Sequence, residues 1–185
     1  MSWDYLFKSE AVKHKVFLCY YHKDDEYYRK KFEELFGDLF INKSVKPGDI
    51  DTDNSTDYIK RLIQEGYISD ASVTIVLVGP KTYCRKHVDW EISATLNKKV
   101  GGYSGLMGIV LPEFPLTDNK YNPDDMPPRL QDNIKTGYAK LYNWNWVCAT
   151  ASNIKSAVEK AFNDRIDSID NIDNSRKQYE YNKCE

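Results

Sequence analysis

The stretch SVTIVLVG, Ser72–Gly79, decides the fold. It is an unbroken run of aliphatic and β-branched residues without polar alternation, the pattern of a parallel strand covered on both faces. Two further apolar runs flank it in the chain: KVFLCY (Lys15–Tyr20), which enters the polar turn YHKDD, and LMGIVLP (Leu106–Pro112). Weaker strands are expected near LFINKSV, after the first helix, and at YAKLYNW, late in the chain.

Between these runs the apolar spacing switches to three and four. Tyr28, Phe32, Leu35, Phe36 and Leu39 predict an amphipathic helix, with Asp25–Arg29 and Glu26–Lys30 pairs on its outer face. NSTDYIKRLIQEG predicts a second helix, with Asn54 or Ser55 as its N-cap and Gly66 as its stop. Val88, Ile92 and Leu96 mark the inner stripe of a third helix, over 86–98. Ile154, Val158, Ala161, Phe162, Ile166 and Ile169 mark a closing one.

This alternation specifies an α/β chain of flavodoxin-like architecture: a three-layer sandwich with a five-stranded parallel sheet in the order 2-1-3-4-5 and helices on both faces. The expected organisation is an N-terminal extension (1–14), one domain (15–169) and a polar C-terminal tail (170–185) that frays. The segment 112–137 contains five prolines and is read as a long loop with at most a short helix around RLQDNI. GGYSG precedes a strand instead of joining a strand to a helix, so it is a turn and no dinucleotide fingerprint.

Composition excludes several function classes. A net charge of -2 and a pI near 6.0, with no dominant basic face, argue against nucleic acid as a partner. The N-terminal residues lack the apolar segment of a signal peptide, and no run approaches membrane-spanning length; a cytoplasmic protein without a membrane partner is expected. Cys19, Cys84, Cys148 and Cys184 are scattered without a C-x-x-C pair and are read as reduced thiols. His14, His22 and His87 are too widely spaced for a recognised ligand set, so no metal is expected.

In such a sheet the loop after the first strand, YYHKDD, meets the start of the helix after the third, RKHVDWE, at the crevice where ligands bind. Glu91 lines that crevice. The residues alone leave two readings: a ligand-binding carboxylate, or an acid serving the helix dipole for about 0.3–1 kcal/mol. His87, four residues earlier, shares its face and either touches a ligand or pairs with Glu91. Asp24 and Asp25 are candidate N-caps. A receiver-like phosphorylation site is disfavoured, because VGPK at the end of the third strand supplies no phosphoacceptor aspartate.

KVFLCYYHKD resembles the opening box of TIR (Toll/interleukin-receptor) domains, an aromatic-Ile-Ser-Tyr-Ser pattern followed by Asp. Phe17, Leu18, Cys19, Tyr20, Tyr21 and Asp24 fill that pattern, with Cys19 and Tyr21 in place of serines. YIKRLIQEGYISDASVTIVLVGPKTYCRKHVDWEI is similar to the bacterial TIR-like family that includes the TIR-type subunit of Thoeris anti-phage defence. Signature stretches there read S-V-T-x-V-L-I-G-x-x-T and R-x-W-V-x-x-E-I. The resemblance spans about 15–99, and the remainder follows in general architecture.

The resemblance implies that Glu91 is the catalytic glutamate of an enzyme that cleaves the nicotinamide–ribose bond of NAD+. NAD+ would be a substrate, and no cofactor is implied. Tyr20, Tyr21 and Asp24 would wall the nucleotide pocket, with His87 beside them and Asp49 and Asp51 contributing from the loop KPGDIDTDNS. His87 stands where the family commonly has Trp, and Trp90 lies on another part of the helix. Attack by water gives hydrolysis; attack by a hydroxyl of ADP-ribose gives a cyclic messenger for a separate effector protein. A homo-oligomer is also implied. The alternative, which His87 favours, is a non-catalytic TIR-like protein–protein interaction module in signal transduction.

Overall fold

A computed structural model describes residues 13–44, 59, 60 and 62–184. β3 (Val73–Val78) runs through the middle of a parallel sheet, and all six of its residues are buried. β1 (Lys15–Cys19) lies on one side of it, with Val16 opposite Val73, and β4 (Gly105–Val110) on the other, with Gly105 opposite Val73. The short β2 (Ile41–Asn42) and β7 (Lys140–Asn143) form the edges, so the order is β2-β1-β3-β4-β7. This is the expected 2-1-3-4-5 sheet. Its fifth strand is seventh in the chain because an antiparallel hairpin, β5 (Leu116–Thr117) and β6 (Lys120–Tyr121), intervenes.

The helices are α1 (His22–Phe36), α2 (Lys86–Thr95), α3 (Pro128–Thr136), α4 (Trp144–Ala149) and α5 (Ala151–Asp167), with a π-helical segment at Leu62–Ile68. Side chains alternate across each strand, which divides the core into two layers. Val16, Leu18, Ile75, Leu77 and Ile109 pack with the apolar faces of α1, α4 and α5. Phe17, Cys19, Val76, Val78 and Val110 pack with the π-helical segment, α2 and α3. α5 lies directly on β4 because Gly105 has no side chain: a Cβ there would stand 2.0 Å from the Ala161 carbonyl oxygen.

Several expectations change for identifiable reasons. The buried stripe of α1 is Tyr28, Phe32 and Phe36, four residues apart, and Leu35 falls beside it, 44% exposed. Arg29 pairs with Glu26 at 2.8 Å and Glu33 at 2.6 Å, not with Asp25, which turns inward. In α5 Ala161 already lies over the first residue of β4, so Ile166 runs past the sheet and stands in solvent, and Ile169, exposed as well, falls in the 3-10 turn after the helix ends at Asp167. Gly66 is no helix stop. The chain continues through it as a π-helix, whose wider turn brings Ile63 and Ile68, five residues apart, to the buried side. The N-caps expected at Asn54 or Ser55 lie outside the described residues.

The proline-rich segment 112–137 is more ordered than a loop. Asp118 and Asn119 adopt φ of 51° and 60°, the left-handed pair that a two-residue hairpin turn requires. Pro128 occupies the first turn of α3, where no amide donor is needed, and Gly137 (φ 89°) ends that helix. Gly101 and Gly102, with φ of 94° and 101°, form the expected turn before β4.

The tail does not fray. Residues 172–184 run as a strap along α2, over a buried ion pair between Asp89 of α2 and Arg129 of α3, N to O 2.9 Å. Arg129 also donates to Asn174 Oδ1 at 2.7 Å, and the Tyr179 amide donates to Asp89 Oδ2 at 2.8 Å. Trp90 Nε1 donates to the Tyr179 carbonyl at 2.7 Å, and Gln178 Nε2 to Ser93 Oγ at 3.0 Å. The end of the strap is joined to the body by a Cys84–Cys184 disulfide, with Cα atoms 5.5 Å apart. That corrects the expectation of four reduced thiols; Cys19 and Cys148 remain free. No spacing rule could find a pair separated by 100 residues.

Removing one member of the Asp89–Arg129 pair leaves a buried charge unmatched. Arg129→Met is expected to cost about 3–5 kcal/mol in urea unfolding. Adding Asp89→Asn should recover much of that loss, since the amide oxygen still accepts the Tyr179 amide while the stranded charge is gone.

Candidate functional site

The carboxyl ends of β1 and β3 bring together the starts of α1 and α2, the two segments the sequence placed at one crevice. Thr82 Oγ1 accepts from the Gly79 amide at 2.8 Å and donates to Asp25 Oδ2 at 3.1 Å, joining the first turn of α1 to the turn after β3. Asp25 sits so close over Gly79 that a Cβ there would lie 2.2 Å from its Oδ1. Burial raises the Asp25 carboxyl to about 6. Neither Asp24 nor Asp25 caps α1, whose N-cap residue is Tyr21 and has no side-chain cap bond.

Glu91 is one turn into α2 and only 4% exposed. It lies beside Cys19 of β1, whose thiol donates to the Val88 carbonyl of α2 at 3.8 Å. Desolvation raises the Glu91 carboxyl to about 8, and the neighbouring Cys19 thiol opposes this only in part. Burial also pushes the Cys19 thiol up, and the adjacent Glu91 charge adds to the effect. Cys19 is thus an inert, buried donor, since its reactive thiolate form is suppressed.

Of the other predicted residues, Tyr20 senses the Glu91 charge, whereas Tyr21, Asp24 and His87 make their contacts elsewhere at this edge. Tyr20 is buried, stacks on His22 at a centroid distance of 4.4 Å and donates to Glu26 Oε2 at 2.7 Å. Its phenol is held well above the usual range by burial, then by that bond to Glu26, with a smaller push from the Glu91 charge. The ring of Tyr21 lies under the Arg85 guanidinium, 3.9 Å from its centroid. Asp24 is exposed and faces Lys81 at 3.7 Å. His87, in the first turn of α2, lies 5.1 Å from the Trp90 ring. Its imidazole is held below the usual range, chiefly by burial and also by Lys86 and His22. Asp49 and Asp51 lie outside the described residues.

Trp90 touches this group only through the His87 ring, 5.1 Å away. It is 1% exposed, held by the strap through its indole nitrogen, with Lys60 over its ring at 4.9 Å. It therefore cannot take the place of the aromatic that His87 replaces. The sequence reading missed Arg85, Thr82 and the inward turn of Asp25. Arg85 was within reach, because it opens the R-x-W-V-x-x-E-I stretch. Its buried Nε has no hydrogen-bond partner among the described residues. Among those residues no three His, Cys, Asp or Glu side chains gather as metal ligands do, and no helix is long and apolar enough to cross a membrane.

The family model of the TIR-like domain of the Thoeris protein ThsB matches residues 17–114, which include Tyr20, Tyr21, Asp24, His87 and Glu91. Among solved structures the chain is similar to the TIR domains of the activated Roq1 resistosome directly recognizing the pathogen effector XopQ. That similarity has 12% identity, covers 86% of this chain and 84% of that one, and has a TM-score of 0.41. No curated protein matches.

The burial of Glu91 has a measurable consequence. Its carboxyl keeps its proton up to about pH 8 in the folded chain, against an ordinary value of 4.5. Through that window the folded state holds more protons than the unfolded state, so this group's contribution to stability falls as pH rises. Wild type is therefore expected to lose stability relative to Glu91→Gln between about pH 5 and about pH 7.5, read from denaturant unfolding of both proteins. Parallel pH profiles would mean that Glu91 is ordinarily solvated.

Proposed function

The chain belongs to the TIR-like domain family of the Thoeris protein ThsB, and on that footing we propose that it cleaves NAD+ at the nicotinamide–ribose bond in a defence role. The observation that carries this reading is Glu91: a carboxyl withdrawn from water at the carboxyl edge of β1 and β3, with its proton affinity raised to about 8. A strongly perturbed group at such a position is a candidate for function.

The proposed chemistry needs one carboxylate. The C1′–N bond breaks, its electron pair leaves with nicotinamide, and the ring nitrogen passes from cationic to neutral without protonation. Positive charge moves to the ribose, where Glu91 stabilises it in a low-dielectric setting. Water then attacks C1′ and gives up a proton, releasing ADP-ribose. If a hydroxyl of ADP-ribose attacks instead, the product is a cyclic isomer that acts as messenger to a separate effector protein. Tyr20 and Tyr21 pack the nucleotide, Asp24 and His87 support its polar groups, and a second copy of the chain helps complete the pocket. Asp49 and Asp51 are proposed contributors from the β2-side loop, and the proposed place of action is the cytoplasm.

A cationic substrate also fits the raised proton affinity. The pyridinium charge favours the ionised carboxylate, so binding itself prepares Glu91. The second reading, a non-catalytic interaction module, is favoured by His87 at the usual Trp position and by the 4% exposure of Glu91.

Incubation of the protein with NAD+ at high protein concentration, read by mass spectrometry for nicotinamide and ADP-ribose products, separates the two. Glu91→Gln is expected to lose about 10²–10³-fold in nicotinamide release. In the wild type kcat/KM should climb with pH toward about 8 as free Glu91 ionises, while kcat should climb at lower pH. A folded wild type that releases no nicotinamide, even with extract from phage-challenged cells, favours the interaction module.

A further inference from the structure

The strap carries information that the proposed chemistry does not use. Along 174–179 it is anchored to the body by side chain and backbone: the Asn174 side chain bonds Arg129, the Ser93 carbonyl and Asn97, and the Tyr179 backbone bonds Asp89 and Trp90. Beyond Tyr179 the anchoring thins. Glu180, Tyr181, Asn182 and Lys183 are all exposed, and Tyr181 is 62% exposed. Two bonds tie this end to the body: the Lys183 amide donates to the Cys84 carbonyl at 2.8 Å, and Asn182 Oδ1 accepts from the Lys86 amide at 3.0 Å. The disulfide follows immediately, so the covalent link holds a stretch that buries little else.

The second of those bonds falls on a functional element. Lys86 opens α2, the helix that carries Glu91, and the preceding residue, Arg85, gives α2 no side-chain cap. A helix start leaves amide donors unsatisfied unless something outside the helix accepts from them. Here Asn182 does so, from 96 residues away. The cap is supplied by the strap end, which these two bonds and the disulfide join to the body.

We propose that Cys84 and Cys184 are a thiol–disulfide exchange site, a redox latch that controls capping of the Glu91 helix by Asn182. Its reactants are low-molecular-weight thiols and disulfides of the glutathione class. Cys84 is wholly buried and Cys184 only partly, so exchange enters at Cys184. On closing, the Cys184 thiolate attacks glutathione disulfide, forming a mixed disulfide and expelling one glutathione thiolate. The Cys84 thiolate then attacks Cys184 Sγ and expels the second. The two cysteines lose two electrons and two protons, and glutathione disulfide becomes two glutathione thiols. On opening, a glutathione thiolate attacks Cys184 Sγ and displaces the Cys84 thiolate; a second releases Cys184. The strap from 174 to 179 stays docked in both states, while the end and its cap are released.

The inference goes beyond the nucleotide reading and does not need it, since the test contains no NAD+. The full chain is equilibrated in glutathione buffers from fully oxidised to fully reduced. Non-reducing peptide maps report the Cys84–Cys184 link, and amide hydrogen exchange reports local opening. The expected result is a linked peptide in oxidising buffer. On reduction, exchange should accelerate about fivefold or more at 86–88 and 180–184, with none at 73–78. Cys184→Ser should match the reduced wild type and ignore the buffer. Asn182→Ala should raise exchange at 86–88 while the link still forms. The proposal is overturned if no linked peptide forms at any glutathione ratio, or if linking leaves exchange at 86–88 unchanged. Reduction of the wild type supplies the same comparison should Cys184→Ser fail to fold.

Discussion

Burying α2 on both sides is the constraint from which the rest of the structure follows. All eight residues from Val88 to Thr95 are buried, between the sheet on one side and the strap on the other, yet half of them carry polar side chains. A helix of that composition can be buried only if each polar group finds a partner, because an unpaired one costs roughly 1–3 kcal/mol. Asp89 takes Arg129 and the Tyr179 amide, Ser93 takes Gln178, and Thr95 donates to the Glu91 carbonyl and pairs with Thr74 on β3. The last contact places the helix over the sheet; the first two bind it to α3 and the strap.

Glu91 is the member of this set served least well. Asp89 faces a guanidinium, whereas Glu91 faces the Cys19 thiol, a weak donor. Two carboxyls two residues apart on one buried helix thus live in opposite circumstances, one neutralised by a fixed cation and the other holding its own proton. A protein that needed only to bury the helix would gain by replacing Glu91 with an apolar residue.

The sheet was legible because its strands are buried on both faces and say so in unbroken apolar runs: Val73–Val78 and Lys15–Cys19 need no context to be recognised. The meeting of YYHKDD with RKHVDWE was legible too, since topology alone brings the two together, as Tyr21 against Arg85 shows. What escaped was set by partners distant in sequence. Leu35, Ile166 and Ile169 have the spacing of core residues but lack a surface to meet, and only the lengths of the opposing elements decide that. Asp25 has the composition of a cap, yet Thr82 and the bare Gly79 draw it inward. In 112–137 the prolines were read as breakers, although Pro128 sits where a helix accepts one.

The strap exposes a deeper reason for such misreadings. Composition identifies disorder by assuming that an ordered segment must bury apolar surface. That assumption fails where the surface to be covered is itself polar. The outward side of α2 presents a carboxylate, a hydroxyl, an indole N–H and free helix-terminal amides, and a segment that satisfies them must be rich in Asn, Gln and open backbone. DNSRKQYEYNK has that composition because of what it lies upon. Its order comes from complementarity with a buried ion pair whose members lie 45 and 90 residues before the strap residues they bond, which hydropathy along the chain does not encode. Helix and strap are therefore mutually conditional: without the strap α2 would carry unsatisfied polar groups at the surface of the core, and without α2 the strap would have the disorder its sequence advertises.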